Sequence, residues 1–169
     1  MRVKLIVFDL DGTLWDHPDA STLKLPLNKI DDETIVDSEG RVLRLYPGVK
    51  KALKALYDKG IILAIASWNS WEPTYTVLNL LDIAKYFKYI VIEPHPCKHE
   101  MIGKILEMYE RDFGPIEPSE VLYIDDRDIH INDIRKYVGK VRFIHMWRDV
   151  GRIEDIISLI EENYASDLQ

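Results

Sequence analysis

The chain has 169 residues, of which 47% are hydrophobic and 30% are charged, and its formal net charge at pH 7 is −7. This length and apolar content are typical of one folded domain and exclude disorder as the main state. The negative charge argues against a protein that coats nucleic acid and is compatible with a bound cation. The longest clean apolar run, 61–66, is far shorter than the roughly 18–20 residues that cross a membrane.

Five apolar segments rich in β-branched residues have the length of buried parallel strands: 3–8, 61–66, 89–92, 121–124 and 141–144. Amphipathic patterns predict helices over 49–59, 74–81, 98–109, 128–137 and 152–164. Strands that alternate with helices indicate βαβ units, and right-handed crossovers restrict the topology. We therefore predict an α/β fold, namely a Rossmann-like, doubly wound, mostly parallel five-stranded sheet with helices on both faces.

The segment 16–46 interrupts this alternation with about 30 residues, whereas an ordinary βα loop has roughly 2–6. Within it, residues 34–43 have the pattern of two short strands around a glycine-containing turn. We predict a β-hairpin flap preceded by an irregular segment. Because this insertion is too short for a second domain, we expect a single domain over 1–169 without a large cap.

The single cysteine, Cys97, excludes an intrachain disulfide bond and suits a reducing compartment. The first residues, 1–4, lead directly into an apolar segment that ends in an acidic residue, which is not the pattern of a secretory signal peptide. We therefore expect a cytoplasmic protein. The sequence predicts no particular oligomeric state.

Side chains with reactive chemistry follow four of the predicted strands. They are Asp9 and Asp11, Ser67, Lys98, and Asp125 and Asp126. In an open α/β sheet ligands bind beyond the carboxyl ends of the strands, so we expect these side chains to converge. A cluster of carboxylates suits Mg²⁺, and together with hydroxyl and ammonium groups it is typical of phosphoryl transfer.

Several of these stretches resemble motifs of the haloacid dehalogenase superfamily. They are VFDLDGTLWD at 7–16, AIAS at 64–67 and YIDD at 123–126, and Lys98 stands where the lysine of the third motif belongs. Within that superfamily, Trp15 and EPHPCK at 93–98 resemble the magnesium-dependent phosphatase group, whose members lack a large cap. The resemblance spans nearly the whole chain and implies a Mg²⁺-dependent phosphatase.

The resemblance also implies a mechanism through an aspartyl phosphate. Asp9 would attack phosphorus in line, and Asp11 would protonate the leaving oxygen and then deprotonate the hydrolytic water. These roles require Asp9 to be ionised and Asp11 to be able to carry a proton. The phosphorylated ATPases of the superfamily have threonine at the second position, so the carboxyl group of Asp11 favours hydrolysis or mutase chemistry.

The same resemblance implies the ligands. Mg²⁺ would be held by the carboxylates of Asp9 and Asp126 and by the backbone carbonyl of Asp11, while Asp125 would act through water. Lys98 would neutralise the nucleophile and the phosphate as a point charge. The residues expected to bind phosphate are Ser67, Trp68, Asn69 and Lys98.

Neighbouring residues have more ordinary interpretations beside the functional ones. Thr13 is expected to brace the first loop rather than touch substrate. Trp68 and Trp71 could form a wall beside the substrate or simply pack. The resembled group commonly has an amide a few residues after the acidic pair, and here either His130 takes its place or Asn132 supplies it from a shifted register.

Another group, His95, Cys97 and His99, superficially suggests a soft-metal cluster. The alternating spacing is poor for a closed zinc site, and the sequence places no fourth ligand nearby, so we expect no zinc site here.

The predicted function is hydrolysis of a phosphomonoester, carried by a protein side chain or a small molecule, with Mg²⁺ as cofactor and with no nucleic-acid or membrane partner. One alternative is a phosphotransferase or mutase, which needs water to be excluded, and no large lid is evident. Another is a non-catalytic module that binds Mg²⁺ or phosphate, and the presence of both Asp9 and Asp11 counts against it.

Overall fold

The fold is known from a computed structural model, which describes residues 2–166. The first half of the chain forms β1 (Leu5–Phe8), β2 (Trp15–Asp16), β3 (Asn28–Asp31), β4 (Thr34–Val36), β5 (Val42–Leu45), α1 (Val49–Asp58), β6 (Ile62–Trp68) and α2 (Trp71–Leu80). The second half forms β7 (Phe87–Glu93), α3 (Lys98–Phe113), β8 (Val121–Asp125), α4 (Ile131–Tyr137), β9 (Arg142–His145) and α5 (Asp155–Ser166). Across these residues no helix is both long enough and apolar enough to span a bilayer.

The main sheet has the order β7-β6-β1-β8-β9, and all of its strand pairs are parallel. Each of the five predicted strands is present, and so is each of the five predicted helices, with ends that shift by a few residues. The strand order reverses direction beside β1, which is the doubly wound topology that the sequence predicts. The carboxyl end of β1 therefore lies at the crevice where such sheets bind ligands.

The central strand β1 is apolar along its whole length because both faces of the sheet are covered. Ile6 and Phe8 belong to a core cluster that also contains buried residues of α1, α2 and α5. Leu5 and Val7 belong to a second cluster, with buried residues of α3 and α4. Because alternate side chains of β1 point to opposite faces of the sheet, this one strand packs against helices on both sides, as the predicted fold requires.

The insertion after β1 forms a four-stranded antiparallel sheet with the order β2-β5-β4-β3, which we call the flap sheet. The predicted hairpin is present as β4 and β5. The segment before it, predicted to be irregular, instead contains β3, which pairs with β4 through a register shift between Lys29 and Asp31. All four residues of β3 are exposed, so the sequence carries no apolar alternation that would reveal it.

The flap sheet is packed onto the body of the molecule. Trp15, Ile35 and Leu43 are fully buried and belong to the same core cluster as Ile6 and Phe8 of the central strand. The insertion therefore packs against one face of the main sheet. Its first strand, β2, follows the loop at the carboxyl end of β1.

Candidate active site

A cavity of about 560 Å³ opens at the carboxyl edge of the main sheet. Its lining includes Asp9, Asp11 and Asp126 from the ends of β1 and β8, and Trp68 and Asn69 from the end of β6. These positions come from three strands that are neighbours in the sheet but far apart in the sequence. The structure thus brings together the residues that the strand-end argument selected.

Asp9 is buried, with only 6% of its surface exposed. The Lys98 ammonium donates hydrogen bonds to Asp9 Oδ1 at 2.7 Å and to the Ala66 carbonyl at 2.6 Å. Burial raises the pKa of Asp9, but the positive charge and the hydrogen bond of Lys98 outweigh it, so the pKa lies below its ordinary value. Asp9 is therefore held as an ionised carboxylate in spite of its burial.

Thr13 links the first loop to the loop after β8. Its hydroxyl lies 3.1 Å from Asp9 Oδ2 and 3.2 Å from Asp126 Oδ1, and it accepts a hydrogen bond from the Asp126 backbone N–H at 3.0 Å. This confirms the predicted bracing role. It also fixes the separation of the two carboxylates.

Carboxylate oxygens of Asp9, Asp125 and Asp126 all lie within 4.8 Å of one another. Burial and the charge of Asp9 raise the pKa of Asp125 to about 7, and the same two causes raise the pKa of Asp126. Mutual repulsion of this kind is relieved by a divalent cation, and oxygen is the donor that Mg²⁺ prefers. The donor set therefore fits Mg²⁺.

The two acidic residues after β8 differ in their surroundings. Asp125 is fully buried, and its oxygens accept hydrogen bonds from the Tyr123 hydroxyl and from the Arg127 backbone N–H. Asp126 instead lines the cavity. This difference favours Asp126 as the direct metal ligand and Asp125 as a residue that interacts with the metal ion only indirectly.

Asp11 is held by groups from the flap and from the end of β6. Its Oδ1 accepts hydrogen bonds from the Trp15 indole at 2.8 Å and from the Ala20 backbone N–H at 3.0 Å. Its Oδ2 accepts one from the Asn69 amide at 2.9 Å. Burial raises the pKa of Asp11 in spite of these donors. The two acids of the first loop therefore differ in the direction that their predicted roles require.

The Asn69 side chain, which is predicted to contact phosphate, is hydrogen-bonded to three neighbouring side chains. Its amide nitrogen donates to Ser67 Oγ at 2.7 Å as well as to Asp11, and its amide oxygen accepts from the Ser21 hydroxyl at 2.6 Å. Its backbone N–H donates to the Glu93 carbonyl. The Asn69 side chain therefore supports Asp11, and among residues 2–166 no acceptor is found for the Ser67 hydroxyl proton.

The remaining predicted residues fall in distinct places. Trp68 lines the cavity, whereas Trp71 is half exposed and stacks on Tyr75, so a wall of two tryptophans is not present. His130 is buried, and burial lowers its pKa to about 4, while Asn132 lies exposed on α4. Of the two alternatives for the missing amide, burial favours His130, and their roles stay a prediction.

Residues 2–157 match the model of the Acid Phosphatase family. The chain belongs to this family. It is 35% identical over 136 residues to magnesium-dependent phosphatase 1 of Homo sapiens, and the match covers 79% of this chain and 73% of the human protein. It is also 32% identical over 93 residues to a phosphoglycolate phosphatase of Haemophilus influenzae, which covers 50% of this chain and 38% of that protein.

Solved structures agree on the fold. A HAD-superfamily hydrolase from Geobacter sulfurreducens superposes with a TM-score of 0.66 at 18% identity, over 93% of this chain and 99% of that chain. A HAD-hydrolase from Bacillus subtilis, bound to magnesium, gives a TM-score of 0.69 at 13% identity, over 95% and 99% of the two chains. The predicted haloacid dehalogenase-like fold is thereby confirmed.

Two groups at or beside the site were not predicted from the sequence. Arg127 lines the cavity and brings a positive charge close to the acidic cluster. Trp147 donates a hydrogen bond from its indole to the Gly12 carbonyl at 2.6 Å, and its φ of 72° is uncommon for a bulky residue. Neither position was predicted, because each follows the end of a strand without a recognisable motif.

Proposed function

We propose that this chain is a Mg²⁺-dependent phosphomonoesterase that forms an aspartyl phosphate on Asp9. The observation that supports this most directly is the opposite state of the two acids in the first loop. Asp9 is held ionised by Lys98, whereas burial favours the protonated form of Asp11. The human relative named magnesium-dependent phosphatase 1 supports the same activity.

The metal ligands in this proposal are the carboxylates of Asp9 and Asp126 and the backbone carbonyl of Asp11, with Asp125 behind them. When bound, Mg²⁺ would neutralise charge on the phosphate oxygens and shield the nucleophile from them. Lys98 stays hydrogen-bonded to Asp9, and its positive charge offsets the negative charge of the Asp9 carboxylate.

In the first step the Asp9 carboxylate attacks phosphorus, and the bond from phosphorus to the leaving oxygen breaks as the new bond to Asp9 forms. Asp11 gives its proton to that leaving oxygen. In the second step Asp11, now ionised, takes a proton from water as the water attacks phosphorus, which releases inorganic phosphate and restores Asp9. The free hydroxyl proton of Ser67 is available to a phosphate oxygen in both steps.

The substrate class in this proposal is a phosphorylated small molecule or protein side chain. The cavity is acidic at its floor, with Trp68 and Arg127 on its lining and Pro18 and Ser21 from the insertion beside them. An exposed apolar ring and an exposed cation on the lining suit a leaving group that has both apolar surface and a negative charge.

The test is hydrolysis of p-nitrophenyl phosphate by the full chain with Mg²⁺, with a chelator, and after Mg²⁺ is restored. We expect release of phosphate only when Mg²⁺ is present. Equal rates in all samples would eliminate the proposal. Faster transfer to an added alcohol than to water would favour a phosphotransferase, and Mg²⁺ binding without turnover over a broad substrate panel would indicate a binding module.

Gly12→Ala is expected to weaken Mg²⁺ binding. Gly12 has a φ of 70°, and a Cβ atom there would lie 2.5 Å from Asp126 Oδ2, so the Asp126 carboxylate must move. We expect the Mg²⁺ concentration that gives half-maximal activity to rise about ten-fold or more. The left-handed backbone adds a loss of about 1–2 kcal/mol in the free energy of unfolding.

The matched control is Gly40→Ala. Gly40 has a φ of 83°, and a Cβ atom there meets nothing within 4 Å. This variant carries the same backbone strain without any contact at the acidic cluster, so it should lose stability and keep its Mg²⁺ dependence. An equal change in Mg²⁺ dependence in both variants would show that the effect comes from strain alone.

Asn69→Ala is expected to lower kcat about ten-fold or more, because the donor that orients Asp11 Oδ2 is lost. That bond lowers the pKa of Asp11, so its loss raises the pKa further. Asp11 then stays protonated to higher pH, and the fall of kcat/KM with rising pH should move to higher pH. A profile with the same alkaline limb as the unmodified protein would contradict this. Ser21→Ala removes the hydroxyl contacts to Asn69 Oδ1 and to the Ser70 backbone N–H but none to Asp11, so it should show a smaller shift.

A further inference from the structure

A second group of metal-ligating side chains lies at the start of α3, on the loop that follows β7. A ring nitrogen of His95, the sulfur of Cys97 and a carboxylate oxygen of Glu100 all lie within 4.8 Å of one another. His95 and Cys97 are partly exposed and Glu100 is exposed, so an ion from solvent can reach them. None of the three lines the acidic cavity.

The structure changes the ligand set that the sequence suggested. His99 turns away and stacks on Tyr137, with ring centroids 4.7 Å apart, so the alternating histidine pattern does not form a cluster. Glu100 takes its place because α3 begins at Lys98 and the helical turn brings residues three apart to the same side. The alternating spacing that argued against a zinc site on His95, Cys97 and His99 therefore does not count against His95, Cys97 and Glu100.

His95 has a partner at each ring nitrogen. Its Nδ1 accepts a hydrogen bond from the Cys97 backbone N–H at 3.1 Å, and a metal ion on this nitrogen would replace that hydrogen bond. Its Nε2 lies 3.3 Å from Glu93 Oε1. That oxygen is buried and has no hydrogen-bond partner among the described residues, whereas Oε2 of the same carboxylate pairs with Lys104. A carboxylate behind a histidine is the usual outer partner that fixes a metal-bound ring.

We propose that His95, Cys97 and Glu100 bind a borderline-soft divalent transition metal ion of the Zn²⁺ or Co²⁺ type, with Glu93 as the outer partner of His95. Thiolate and imidazole ligands select such ions over Mg²⁺. Tetrahedral coordination requires ligand separations of about 3.4–3.6 Å, which rotation of these partly exposed side chains can reach. On binding, the Cys97 thiol releases its proton to solvent, and the fourth position is left to water.

The experiment is a Co²⁺ titration of the full chain in saturating Mg²⁺, so that the carboxylate cluster is occupied. A Co²⁺ ion on sulfur gives a thiolate-to-metal charge-transfer absorption, and Cys97 is the sole cysteine, so this band reports on Cys97 alone. We expect one Co²⁺ per monomer and displacement of the band by Zn²⁺. The readout is a spectrum and does not depend on turnover, so its failure is distinct from a failure of the proposed phosphatase activity.

The variants distinguish a specific metal site from nonspecific binding of a metal ion to the Cys97 thiol. Cys97→Ser should abolish the band, His95→Ala should weaken Co²⁺ binding at least ten-fold, and Glu93→Gln should weaken it about ten-fold. His99→Ala is the matched control and should bind as the unmodified protein does. Absence of the band, unchanged binding in His95→Ala and Glu93→Gln, or a stoichiometry of two chains per Co²⁺ through bridging Cys97 residues would each overturn the proposal.

Discussion

Asp9→Asn is expected to reduce phosphatase activity by at least about 10³-fold, because an amide cannot attack phosphorus as the carboxylate does. The same change removes the ionised partner that the Lys98 ammonium contacts at 2.7 Å. The measurement is the initial rate on p-nitrophenyl phosphate at saturating Mg²⁺. An activity within ten-fold of the unmodified protein would rule out Asp9 as the nucleophile.

Folding must be measured alongside this rate. Lys98 is 1% exposed, and loss of one partner of a buried ion pair costs about 3–5 kcal/mol. The double variant Asp9→Asn/Lys98→Met removes both charges and should recover part of the thermal stability that the single variant loses. It should stay inactive, and renewed activity in a folded double variant would contradict the role of Asp9.

Asp11→Asn is expected to slow turnover about 10²–10⁴-fold by removing the general acid and base. With p-nitrophenyl phosphate the leaving group needs little protonation, so the second step suffers more and the phosphorylated chain should accumulate. Burial raises the pKa of Asp11, so on an alkyl phosphate, whose leaving oxygen needs the Asp11 proton, kcat/KM of the unmodified protein should fall as pH rises through that pKa. This limb should disappear in Asp11→Asn.

Intact-protein mass spectrometry after rapid acid quench measures the trapped species. Asp11→Asn should gain one phosphoryl group and release a burst of nitrophenol, whereas Asp9→Asn/Asp11→Asn should do neither. Phosphate located on a residue other than Asp9, or turnover by Asp11→Asn as fast as that of the unmodified protein, would contradict the two-step mechanism.

The fold and the acidic cluster could be predicted because both depend on local sequence patterns. Buried parallel strands are apolar on both faces, so segments such as Leu5–Phe8 stand out, and ligands of open sheets follow strand ends. Strand β3 could not be predicted because its residues, Asn28–Asp31, are all exposed. Its formation depends on pairing with β4, which is a tertiary contact without a local pattern.

The hydrogen-bond partners of Asp11 were harder to predict than the place of Asp11 in the site. The motif resemblance included Trp15, but the hydrogen bond from its indole to Asp11 depends on how the insertion folds back. Asn69 was expected at the phosphate because it follows Ser67, yet its amide bridges Ser67, Asp11 and Ser21. Spacing along the chain shows which residues reach a site, whereas the partner that each side chain chooses is decided by donors and acceptors from distant segments.

The shared core of the flap sheet and the main sheet has a consequence for how substrates gain entry. Trp15 is fully buried in that core, and its indole also donates a hydrogen bond to Asp11. A hinged opening of the insertion would therefore disrupt the core and at the same time displace Asp11, the general acid. We therefore expect the entrance to be a rigid rim whose fixed shape sets selectivity. Substitution of Pro18, which is exposed and lines the cavity, offers a route to reshape that rim while the buried anchor stays intact.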